Sequence, residues 1–286
     1  MSRLYTFLLS ALLLLPLSGR ASDKLLVFTS VVPLMTFVER VGGGQVEVQA
    51  MVQPGQSPAT YDPTPRQVAA LARADLYVRV GVPFETAWMK RIRSANPQMP
   101  VLDAREGIEL RRHEGDDGHG HEALDPHVWT SPPLVKIMAA NIRDALIRLD
   151  PSHRVGYEKG YGDFAAQLDA LDGEIRGLVA DLPNRRFLVY HPAWGYFADA
   201  YGLKQIPIEM EGKDPKPAQM KALIKIAKEE AIKVIFVQPQ FSTKRAEIIA
   251  KAIEGRIIPA DPLAEDWASN LRKQARQIMT ASGERH

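Results

Sequence analysis

The sequence predicts an α/β protein of two lobes, each built on a parallel sheet, joined by one long rigid helix and leaving a cleft between them. Three observations lead there. From Lys24 onward, short apolar runs of strand character alternate with helical segments, the pattern of a parallel sheet with crossover helices. A single apolar stripe then runs from Tyr157 to Leu178. After Pro183 the alternation starts afresh.

Taken in order, Leu25-Leu26-Val27-Phe28 reads as a strand and Leu34 to Val41 as a helix ended by Gly42-Gly43-Gly44. Val46 to Val52 reads as the next strand, and Pro65 to Ala74 as a helix with proline in its first turn. Leu76 to Val80 is a strand, Phe84 to Ser94 a helix and Pro100 to Leu102 a short strand. Glu106 to Ala123 breaks the pattern as a polar, glycine-punctuated loop, and helix returns from Pro133 to Leu149. In the stripe, Tyr157, Tyr161, Phe164, Leu168, Leu171, Ile175 and Leu178 are spaced alternately four and three residues apart. That is one face of a helix of about six turns. The second series has strands at Phe187 to Tyr190, Gln205 to Ile208, Lys233 to Val237 and Arg256 to Pro259. Helices alternate with them at Trp194 to Tyr201, Lys216 to Ala231, Thr243 to Ile253 and Glu265 to Met279. The expected division is residues 22–150 for the first lobe, 151–182 for the linker helix and 183–286 for the second lobe.

Residues 1–21 stand apart. Arg3 precedes an apolar core from Phe7 to Leu17, and small residues at Gly19 and Ala21 flank an expected cleavage after Ala21, the layout of a secretory signal peptide. The core is too short to span a bilayer, so no direct membrane insertion is expected. Loss of Arg3 and Arg20 would take the formal net charge from +2 to zero. No concentrated basic face remains of the kind nucleic acid requires. The chain has 286 residues and no cysteine, which excludes disulfides, thiolate metal ligands, a cysteine nucleophile and a lipid anchor on an N-terminal cysteine. A soluble, monomeric protein of the periplasm is expected, stabilised by its core alone.

Three residues at element ends attract chemistry. His191 follows the strand-like run Phe187 to Tyr190, Asp261 follows Ile257-Ile258-Pro259-Ala260, and His127 sits in Asp125-Pro126-His127-Val128-Trp129 just before a helix. In open α/β sheets, ligands bind beyond the carboxyl ends of the strands, and two imidazoles with one carboxylate suit a divalent metal. Each residue also has a plain structural reading. A histidine beside aromatics is commonly a core residue, and an aspartate before proline commonly starts a turn. His113, His119 and His121 cluster in the polar loop, either as a solvated insertion or as an auxiliary metal-capturing loop. No His-Glu-x-x-His pair, Gly-x-Ser-x-Gly elbow or phosphate-cradling glycine loop is present. An enzyme using an open metal position would need a general base, for which Glu209 and Glu211 are the available carboxylates.

Longer motifs narrow these options. They are Pro54-Gly55-Gln56-Ser57-Pro58 with Tyr61-Asp62-Pro63-Thr64-Pro65, Asp125-Pro126-His127-Val128-Trp129, Tyr190-His191-Pro192-Ala193-Trp194-Gly195-Tyr196-Phe197, Val237-Gln238-Pro239-Gln240-Phe241-Ser242 and Asp261-Pro262-Leu263. Over nearly the whole chain beyond the leader, the sequence resembles the metal-binding (cluster A-I) substrate-binding proteins of bacterial ABC transporters. The resemblance implies two α/β lobes, a rigid helix between them and a metal site in the cleft. It implies a binding protein, not an enzyme, that delivers zinc to an ABC transporter permease. His127, His191 and Asp261 match the second, third and fourth ligand positions. A histidine at the third position marks zinc-type members, whereas manganese-type members carry glutamate there.

The first ligand departs from the family pattern. Where Ser-Pro-His is usual, this chain has Ser57-Pro58-Ala59, and a methyl group cannot bind a metal. Three arrangements remain open: a site completed by water, a site completed by His119 or His121 from the loop, or a chain that has lost tight metal binding. The alternatives to a zinc carrier are a carrier of manganese or another divalent metal, a carrier of a metal held on a small chelator that supplies the missing donor, and a metalloenzyme.

Overall fold

The computed structural model describes residues 24–112, 124–209 and 213–283. His113, His119, His121, Glu211 and the leader lie outside these residues. Two four-stranded parallel sheets organise the chain. The first comprises β1 (Leu25–Thr29), β2 (Val46–Ala50), β3 (Leu76–Arg79) and β4 (Val101–Asp103), in the order β2-β1-β3-β4. The second comprises β5 (Arg186–Val189), β6 (Lys204–Pro207), β7 (Val234–Val237) and β8 (Arg256–Pro259), in the order β6-β5-β7-β8. The same topology is thus used twice. In each sheet the order reverses beside the first strand, which opens a crevice at the carboxyl ends where ligands bind in such folds.

Helices cover the sheets: α1 (Val32–Gly42), α2 (Pro65–Leu71), α3 (Pro83–Ala95) and α4 (Pro132–Leu149) in the first half, then α6 (Gly195–Tyr201), α7 (Pro217–Glu229), α8 (Lys244–Ala252) and α9 (Trp267–Gly283) in the second. Proline occupies the first turn of α1, α2, α3, α4 and α7, where its missing N–H costs nothing. Three of these helices therefore begin a residue or two ahead of the apolar pattern that announces them, at Val32, Pro83 and Pro132. Thr64 caps α2 in a reciprocal box with Gln67, whose side chain also accepts from Tyr61 Oη at 2.7 Å.

The long helix is α5, 26 residues from Arg154 to Val179. Its stripe buries Tyr157, Phe164, Leu168, Leu171 and Ile175 against α1, α4 and α9. Burying each such side chain contributes about 1.5–3 kcal/mol. Gly160 lets α1 approach closely, since a Cβ there would lie 2.4 Å from the Val41 carbonyl oxygen. The chain's last helix returns to the first half and to α5: Trp267 of α9 packs edge-on against Phe37 of α1 at 5.0 Å, and Arg272 pairs with Glu174 of α5. Two indoles complete the joint. Trp129 Nε1 donates to the Pro262 carbonyl at 2.8 Å, and Trp267 Nε1 donates to the Trp129 carbonyl at 2.8 Å. The segments carrying His127 and Asp261 are thereby held side by side.

Candidate metal centre

His127 is fixed from its own turn. Asp125 is buried and accepts the His127 backbone N–H at 2.9 Å. The same Oδ1 lies 2.7 Å from His127 Nδ1. The turn is locked in place by Thr130 Oγ1, which donates to the His127 carbonyl at 2.9 Å. Asp125 is itself gripped across the joint. Tyr196 Oη donates to its carbonyl at 2.9 Å, and the Arg111 guanidinium stands 3.8 Å from Oδ2. Gly195 makes that geometry possible, because a Cβ there would fall 1.3 Å from Arg111 Nη1. Burial pushes the Tyr196 phenol up to about 12, so it remains a hydrogen-bonding hydroxyl at neutral pH.

His191 emerges two residues beyond β5. Gln238, just past β7, brackets its backbone: Gln238 Oε1 accepts from His191 N at 3.2 Å, and Gln238 Nε2 donates to His191 O at 2.8 Å. Glu209, just past β6, is buried and places Oε1 2.7 Å from His191 Nδ1. Phe241 stacks on the imidazole with centroids 5.0 Å apart.

The two imidazoles meet, with ring centroids 5.2 Å apart and planes at 75°. Each Nδ1 faces a buried carboxylate, which can only accept a hydrogen from it and so orients the ring. A carboxylate on the far nitrogen also raises the basicity of the near one, the arrangement found behind metal-ligating histidines. Zinc suits a pair of imidazole ligands.

Asp261 is placed differently. Its Oδ1 accepts from Gln240 Nε2 at 3.0 Å and from Leu263 N at 3.0 Å, and it precedes the cavity-lining Pro262. Among the described residues, no three His, Asp or Glu side chains gather as a metal-binding cluster. The structure therefore brings His127 and His191 together and leaves Asp261 outside the pair. Asp125 and Glu209 are the residues that sequence reasoning missed in this role. Glu209, considered above as a general base, is instead the carboxylate behind His191.

The pair opens into a cavity of about 520 Å³ at the strand ends of both sheets, whose walls include Ala59, Arg79, Arg105, His127, His191 and Phe241. Arg105 is held by Asp103, with Nε and Nη2 donating to the two carboxylate oxygens at 2.9 and 2.8 Å. Burial pushes the Asp103 carboxyl up, but the hydrogen bonds and charge of Arg105, with help from Arg79, outweigh it and hold the group below the usual carboxylate range. Arg105 is correspondingly raised.

Residues 27–281 match the model of the ZnuA family, described as zinc-uptake complex component A, periplasmic. The chain belongs to this family. It is a family of metal-binding transport components and not of enzymes. The chain is 32% identical over 246 residues to the high-affinity zinc uptake system protein ZnuA of Bacillus subtilis, covering 81% of this chain and 76% of that protein. It is 29% identical over 247 residues to the manganese ABC transporter substrate-binding lipoprotein PsaA of Streptococcus pneumoniae, covering 82% of this chain and 78% of that one. A crystal structure of ZnuA superposes with a TM-score of 0.87 at 40% identity, covering 91% of this chain and 100% of the other. The two-lobed α/β architecture with its long helix is shared with that ZnuA family member. No helix among the described residues is long and apolar enough to cross a membrane.

Proposed function

We propose that the chain captures zinc in the periplasm with His127 and His191 as ligands through Nε2, and hands it to the permease of an ABC transporter. The observation that carries this reading is the pair of imidazoles at 5.2 Å, each backed by a buried carboxylate on Nδ1. Asp261 is the third ligand in this proposal. Its segment is tied to that of His127 through Trp129 and Pro262, and movement of the Asp261 side chain away from Gln240 on metal entry would bring it to the pair. Names of relatives include both zinc and manganese carriers. The histidine at position 191 favours zinc, because manganese-type members carry glutamate at the matching position.

The lobes act as residues 22–150 and 183–286, the helix 151–182 keeps them apart as a strut, and docking on the permease opens their interface to release the ion. The protein works as a soluble monomer after removal of residues 1–21. Equilibrium dialysis against zinc with metal analysis tests the site. Wild type is expected to retain about one zinc per chain, and His191→Ala to lose most of it. Equal retention by the two proteins would overturn the ligand assignment.

A further inference from the structure

The cavity beside the histidine pair is far larger than an ion requires. At about 520 Å³ it lies within the range of sites for small organic ligands, roughly 300–1,000 Å³, whereas a water molecule occupies about 30 Å³. Among the described residues its lining carries no carboxylate. Two imidazoles, His127 and His191, and two guanidinium groups, Arg79 and Arg105, line it together with Ala59 and the neutral polar residues Ser57, Thr86, Gln238 and Gln240.

Arg105 is built into place. Asp103 holds its Nε and Nη2, and Nη1 lies against Gly81, where a Cβ would come within 1.9 Å of it. Gly81 has φ of 81°, which suits glycine, so the backbone itself keeps this floor open for the guanidinium. The bonds to Asp103 use one hydrogen of Nε and one of Nη2, so the guanidinium has further N–H donors beyond this pairing. Arg79 is spent more fully, with Nε on the buried Glu85 at 2.9 Å. Pro58, Val82, Trp129 and Leu263 supply apolar wall in the same cavity. A cavity lined by a histidine pair and by guanidinium groups, in a chain with alanine at the first ligand position, matches a ligand that carries both a carboxylate and metal-binding oxygen atoms.

We propose that the site takes zinc together with a small hydroxycarboxylate or polycarboxylate anion, whose one carboxylate sits on Arg105 while its remaining oxygens complete the coordination on the Ala59 side. The proposal rests on the zinc reading above. It makes the cargo a metal chelate and turns the lost ligand at position 59 into room for the chelator.

Dialysis with radiolabelled citrate or malate, each with and without zinc, tests it. Zinc and citrate, or zinc and malate, are expected to be retained together in equal amounts, with the anion retained about tenfold more weakly when zinc is omitted. Arg105→Gln is expected to lower the anion retained per zinc about tenfold, the loss of a charge-assisted hydrogen bond. Ala59→His gives an independent arm that leaves Arg105 intact: it is expected to fill the anion's place, tighten zinc about tenfold in anion-free buffer and abolish anion retention. Zinc retained with neither anion would overturn this proposal and leave the zinc reading standing, as would anion removal of zinc from the protein. Anion retained equally with and without zinc would overturn it too. Zinc retained in no arm would overturn both.

Discussion

Glu209 stands directly behind His191, its Oε1 2.7 Å from the ring Nδ1. The two come from adjacent parallel strands, whose ladder continues past its last paired residues as Glu209 N donates to Tyr190 O at 3.0 Å. The carboxylate fixes the ring orientation and makes Nε2 a stronger donor to a metal. Glu209→Gln keeps the volume and a hydrogen-bond acceptor but removes the charge. Zinc affinity is expected to fall about 10–100-fold, read by competition with a chromophoric chelator, while the thermal midpoint stays close to wild type. An unchanged affinity would reduce Glu209 to a packing residue.

Gly195 controls the other histidine at one remove. A Cβ there would meet Arg111 Nη1 at 1.3 Å and Asp125 Oδ2 at 3.0 Å, so Gly195→Ala must displace the guanidinium and press on the carboxylate that holds His127. Overpacking of this kind costs about 1–3 kcal/mol. The variant is expected to unfold at lower urea and to bind zinc more weakly than wild type under conditions where both are folded. Normal zinc affinity in the folded variant would show that Asp125 tolerates the shift.

Much of the architecture is legible in the sequence because its signals are local. The stripe on α5 follows from 3.6-residue periodicity, and the strands follow from short apolar runs bounded by breakers. The order β2-β1-β3-β4, repeated as β6-β5-β7-β8, is set by pairing between distant segments and leaves no local mark. The site divides in the same way. His127 and His191 stand out because motifs surround them. Asp125 reads locally as a turn residue before proline, which it is, while its second role depends on where the His127 ring folds back. Glu209 lies 18 residues from His191 and reaches it only because β5 pairs with β6. Asp261 lies at the expected strand end, yet its carboxylate is turned to Gln240 and Leu263 N, a side-chain choice that strand position does not encode.

Asp103 gives the fold a dependence on acid. Its carboxyl is held below the usual range in the folded chain, so its pairing contributes stability above the unfolded value, about 3.9, and that contribution is lost as pH falls through the lower folded value. Arg105→Gln removes the largest of the lowering influences and leaves burial, which pushes the carboxyl up. The variant is therefore expected to unfold in acid at higher pH than wild type, followed by far-ultraviolet circular dichroism. Coincident acid midpoints would show that Asp103 and Arg105 contribute nothing to acid resistance.

Two neighbouring glycines on α5 separate packing from helix propensity. Alanine is favoured over glycine in a helix interior by about 1 kcal/mol. At Gly162 a Cβ meets nothing within 4 Å, so Gly162→Ala is expected to raise stability by about that amount. At Gly160 the same methyl would lie 2.4 Å from the Val41 carbonyl oxygen and 2.9 Å from that of Arg40, both backbone atoms that cannot rotate away. α1 must then retreat from α5, loosening Phe37 from Phe164, now 5.9 Å apart, and from Trp267. The cost of about 1–3 kcal/mol exceeds the propensity gain, so Gly160→Ala is expected to lower the denaturation midpoint while Gly162→Ala raises it. Equal stabilisation by both, measured by urea unfolding, would mean that α1 and α5 are held apart by something other than this contact.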